Sequence, residues 1–130
     1  MIKFAKLSVV VLVCVAVILG CSKKEDPAPS LIGSWKLVSE TTTNCTDPGD
    51  NGTYPCTDCY ILSFTATTFT FSYGGTSIGG TYSTSGNNLT MTLTGGPPTT
   101  GTYTLNATTL STVFTHIGSG CTVTTSYSRQ

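Results

Sequence analysis

The chain has 130 residues, with six Lys or Arg set against six Asp or Glu, and only 9 % of it is charged, where about a quarter is usual. So balanced and charge-poor a chain has no clustered basic face for phosphates, which excludes a nucleic-acid binder, and it holds few titratable groups for acid–base catalysis. The length suits one domain, and the 38 % hydrophobic content, part of it spent in the first twenty residues, leaves a modest core.

In chain order, Lys3 and Lys6 precede an apolar run from Leu7 to Leu19. As a helix that run rises only about 20 Å, short for a membrane span but suited to the apolar stretch of an export signal. Residues 1–20 are therefore set apart from the fold. Ile18-Leu19-Gly20-Cys21 resembles a bacterial lipobox, which implies cleavage before Cys21 and acylation of its thiol, hence a partner in the membrane through an N-terminal lipid anchor. Residues 21–30 then form the acylated cysteine and a charged, Pro-rich tether, "SKKEDPAPS", without apolar periodicity. Ser22 after the cysteine resembles lipoproteins of the outer membrane, and Lys24-Glu25-Asp26 resembles an acidic surface-export tag; both imply the cell outer membrane, on its periplasmic face or at the cell surface. The mature chain would carry Lys23, Lys24, Lys36 and Arg129 against six acidic groups, again the wrong sign for nucleic acid.

From Leu31 onward the pattern alternates with period two and shows no helical stretch, and β-branched threonine favours strands. The first strand spans about Ile32–Thr41, with Gly33, Trp35 and Leu37 on one face. Tyr60, Leu62 and Phe64 mark the second; Phe69, Phe71 and Tyr73 mark the third. "GGTSIGG" is expected to break the chain before a short fourth strand containing Tyr82. Leu89, Met91 and Leu93 follow a tight "GNN" turn, and "GGPPTTG" reads as a stiff turn because Pro97 and Pro98 lack a ladder donor. Tyr103 and Leu105, then Leu110, Thr112 and Phe114, then Val123, Thr125 and Tyr127 complete the set. Eight short antiparallel strands predict an all-β chain folded as a small up-and-down barrel over residues 31–130, since closure removes exposed edges.

"LIGSWKLVS", Leu31 to Ser39, resembles the GxW opening strand of lipocalins, and "YSR", Tyr127 to Arg129, is similar to the close of short lipocalin-like domains carried by bacterial lipoproteins. The resemblance implies that Trp35 plugs one barrel end with Arg129 lying across it. It also implies a binder of a small apolar or glycan-like molecule.

Cys14 falls in the signal and Cys21 is assigned to lipid, so Cys45, Cys56, Cys59 and Cys121 remain, an even number in an oxidising compartment. Disulfides are expected. A zinc site would ordinarily want two close pairs, and a thioredoxin-like site would want a helix after its CxxC, which the pattern does not supply. In a barrel the four sulfurs gather at one mouth. An extended Cys56–Cys59 segment would be about 10 Å long, too far for a bridge, which disfavours that pairing and leaves two: Cys45–Cys59 with Cys56–Cys121, marginally preferred, and Cys45–Cys56 with Cys59–Cys121. The bulky inward set predicts a largely packed interior and a shallow pocket at the cysteine mouth, near Tyr60, Phe114 and His116. No metal and no cofactor are expected: Asp47, Asp50, Asn51 and Asp58 lack the spacing of a calcium loop, and "DPGDNG" is turn chemistry. With no Asp, Glu, Lys or Arg between Asp58 and Arg129, an enzyme is not expected. A ligand binder and a packed scaffold without a ligand both remain open, and no protein partner is identified.

Overall fold

The computed structural model describes residues 27–57 and 59–130, so the signal, Cys21, the first part of the tether and Asp58 lie outside the described residues. The strands are β1 (Gly33–Thr43), β2 (Gly52–Pro55), β3 (Ile61–Phe64), β4 (Thr68–Tyr73), β5 (Thr76–Ser85), β6 (Asn88–Leu93), β7 (Pro98–Leu105), β8 (Thr109–Thr115) and β9 (Thr122–Arg129). Each strand from β3 to β9 pairs antiparallel with the next. β1 pairs with both β3 and β9, so eight strands close into an up-and-down barrel.

The ninth strand, β2, arises inside the cysteine loop. β3 covers β1 only from Gly33 to Lys36, which leaves Ser39–Thr42 without a neighbour on that side. Open backbone donors and acceptors there require partners, and β2 supplies them by pairing Ser39 with Pro55 and Thr42 with Gly52. β1 is also irregular. Its register against β9 slips between Leu37, opposite Tyr127, and Ser39, opposite Ser126. The extra residue, Val38, bends the strand and reverses which side chains face inward beyond it.

Two turn expectations are corrected. "GGTSIGG" does not break the chain, because only Gly74 and Gly75 turn, with φ of +55° and +82°. β5 runs on through Gly79 and Gly80 for ten residues. At Gly80 a Cβ would stand 1.9 Å from the Thr92 carbonyl oxygen, so these glycines let neighbouring backbone approach inside a strand. Pro98 likewise is not turn but the first residue of β7, opposite Thr92, where a missing donor is tolerated.

Trp35, Leu62, Phe69, Leu89 and Leu110 are fully buried, and Leu31, Leu37, Phe64 and Tyr127 join them. Edge-on aromatic contacts extend this core toward the mouth, with Phe69 and Phe71 centroids 5.5 Å apart and Tyr60 and Phe71 5.2 Å apart. On the outside, hydroxyl pairs bridge neighbouring strands: Ser34 with Ser63, Thr41 with Thr53 and Thr90 with Thr100, at 3.0, 3.0 and 2.9 Å. They take the place that cross-strand ion pairs hold in more charged sheets.

Candidate functional site

The two ends of the barrel differ. At one end Trp35 is wholly buried, and its indole N–H donates to the Leu31 carbonyl at 2.8 Å. The Arg129 guanidinium lies 4.3 Å from the centre of the indole ring. It donates to the carbonyls of Ser30, Ile32 and Ala107. Gly33 makes room for this: its φ is +131°, and a Cβ there would come within 2.9 Å of the guanidinium. Plug, cation and incoming chain seal that end.

The other end carries the cysteines, and their pairing corrects the expected one. Cys45 is bonded to Cys121 across a Cα distance of 4.0 Å, and Cys56 to Cys59 across 5.4 Å. The segment between Cys56 and Cys59 is not extended. The Cys56 N–H donates to Val38 and the Tyr60 carbonyl accepts from Leu37, so two adjacent residues at the β1 bulge draw both ends of the segment together. Cys45 and Cys121 lie just beyond the last β1–β9 pair, Thr43 with Thr122, and so face each other. Asp47 and Asn51 spend their side-chain oxygens on the loop itself, accepting from the N–H groups of Gly49 and Cys45.

Inside this mouth is a cavity of about 460 Å³. It lies at the mouth, where a pocket is expected, while the Trp35 half is packed. On β7 the inward position opposite Met91 carries only Thr99, and both border the space. The large residues line the space instead of filling it. Tyr60, Phe114 and His116 all border it. The apolar side is built by Leu62, Phe69, Phe71 and Met91, while at the rim Leu93 and Ile117 are exposed, Ile117 at 98 %.

The facing wall is polar. Glu40, Thr125 and Thr112 form one inward row across β1, β9 and β8. Below it the Tyr60 and Tyr127 hydroxyls are 3.0 Å apart. Two hydroxyls sharing one hydrogen bond leave one O–H to offer to a guest. Burial is the main cause that raises the Tyr127 pKa above that of a free tyrosine. Tyr60 is raised too, chiefly by burial and further by the charge of Glu40. Both therefore stay protonated at neutral pH. Alternation along the first strand does not reveal Glu40, because only the bulge at Val38 turns it inward, and the sequence around it carries no Gly or Pro to announce a bulge.

The profile of the lipocalin-like domain family matches residues 31–112. The chain belongs to the lipocalin-like domain family. No curated protein matches the chain. The matched span of the lipocalin-like domain runs from the segment before β1 into β8, and β9, beyond it, completes the ring by pairing with β8 and β1. Lipocalin-like domains are typically non-enzymatic binders, and this one has the architecture of a ligand-binding or scaffold protein.

Proposed function

We infer that this lipocalin-like domain is a non-enzymatic binding module of the cell envelope, tethered by acyl chains on Cys21, that holds one small, mainly apolar molecule at its mouth. The cavity carries the reading. It has the size and mixed lining of small-molecule sites, with a broad apolar wall and a few convergent polar groups. The charged start, short apolar run and Cys21 support export and anchoring at the outer membrane.

Native mass spectrometry on protein extracted from membranes should show an added small-molecule mass. Titration with the apolar fluorophore N-phenylnaphthylamine should saturate at one site, and Thr99→Trp, which places an indole in the cavity, should abolish it. An empty protein that gives no saturable signal refutes the binding role. The anchor is tested separately, by labelled palmitate: incorporation into wild type and none into Cys21→Ser is expected, and label retained by the variant overturns it.

A further inference from the structure

Glu40 is a carboxylate set into the wall of a largely apolar cup. Its place is fixed by geometry: it borders the cavity, and its partner across β9 is Thr125, which is buried and faces the same way. Without the Val38 bulge, residue 40 would point to solvent and Ser39 would point inward.

Among the described residues no Lys or Arg lies at that depth. Between residues 27 and 130 the only Lys and Arg are Lys36 and Arg129. Arg129 is at the sealed end, committed to three carbonyls and the indole. Lys36, next to inward-facing Trp35, points outward and is exposed. His116 borders the cavity but lies four residues beyond Thr112, about 13 Å along the strand and at the rim. Among the described residues no cationic side chain faces the Glu40 carboxylate, and its neighbours in the inward row, Thr125 and Thr112, are neutral.

We propose that the cavity selects amphipathic amines, binding the ammonium group on Glu40 and the apolar body against Phe69, Phe71 and Met91. This deepens the binding role inferred above and rests on it. The carboxylate supplies the charge-assisted bond, the neighbouring threonine and tyrosine hydroxyls complete the polar head site, and the opposite wall accepts an aromatic or aliphatic body.

Calorimetric titration of the full chain with three probes sharing one apolar body, naphthylethylamine, naphthylethanol and naphthylacetate, tests it. At neutral pH the amine should bind at least about tenfold more tightly than the alcohol, the difference expected of one charge-assisted hydrogen bond. Naphthylacetate should bind weakest. Glu40→Gln, nearly the same in shape, should erase the preference for amine over alcohol. Equal binding of amine and alcohol by wild type, tightest binding of naphthylacetate, or an amine preference that survives Glu40→Gln each overturns this inference alone. Failure of all three probes to bind overturns the binding role with it.

Discussion

The two disulfides should differ sharply in what they contribute. A bridge stabilises chiefly by limiting the unfolded chain, and its effect grows with the length of chain it closes. Cys45–Cys121 spans 76 residues and ties the cysteine loop to the start of β9. Loop-closure entropy assigns it about 4.5 kcal/mol at room temperature. Cys56–Cys59 spans three residues, and the same expression gives at most about 1.6 kcal/mol. The double variant Cys45→Ala/Cys121→Ala should therefore lose about 3 kcal/mol more than Cys56→Ala/Cys59→Ala. For a domain whose whole stability is about 5–15 kcal/mol, the first loss is visible as a large drop in urea midpoint, the second as a small one. Crossed bridges, Cys45 with Cys59 and Cys56 with Cys121, predict something different. Each double variant would then break both bonds, and both would lose about 7 kcal/mol. Equal and large losses would thus refute the assigned pairing.

Other outcomes follow from the barrel ends and its glycines. Arg129→Met keeps the aliphatic stem but removes the cation from the indole and three donors from carbonyls; it should cost about 1–3 kcal/mol and alter the near-ultraviolet dichroism of Trp35. Gly80→Ala, which drives a methyl into the Thr92 carbonyl, should cost at least about 1–3 kcal/mol by overpacking, whereas Gly75→Ala, with nothing near the added carbon, should cost only about 1 kcal/mol from its positive φ. Thermal melts of the two variants test that contrast. The raised pKa of Tyr127 makes the folded state hold a proton that the unfolded chain releases above pH 10.0. Stability should be constant below that pH and then fall, by up to about 1.4 kcal/mol per pH unit for this tyrosine. Urea midpoints across alkaline pH should show this slope reduced in Tyr127→Phe.

Much of the barrel was readable from alternation because strand period and burial are the same fact seen twice. Trp35, Leu62, Phe69, Leu89 and Leu110 are apolar at inward positions, and all are fully buried. The mouth location of Tyr60, Phe114 and His116 follows from strand direction alone. What escaped depends on local backbone that no period encodes. The bulge at Val38 reverses the phase that brings Glu40 inside, and the same two β1 residues draw Cys56 and Cys59 together. Gly80 resembles punctuation in the sequence but serves close approach within β5. Strand β2 answers a vacancy on β1 that exists only once β3 has taken its register. The Cys45–Cys121 bond, by contrast, was within reach of sequence reasoning, since Cys121 adjoins the last rung of one strand pair and Cys45 lies two residues past it.

Leu31 is buried, and Ser30 and Ile32 give their carbonyls to Arg129, so the polypeptide comes in at the pole opposite the opening. The molecule has the plan of a goblet, stem below and bowl above. The described chain thus enters at the base, and cargo held as proposed would be loaded or withdrawn at the far side. A carrier protein fused at the front of the domain should leave loading undisturbed, while one fused into the turn between β8 and β9, at the lip, should stand in its way.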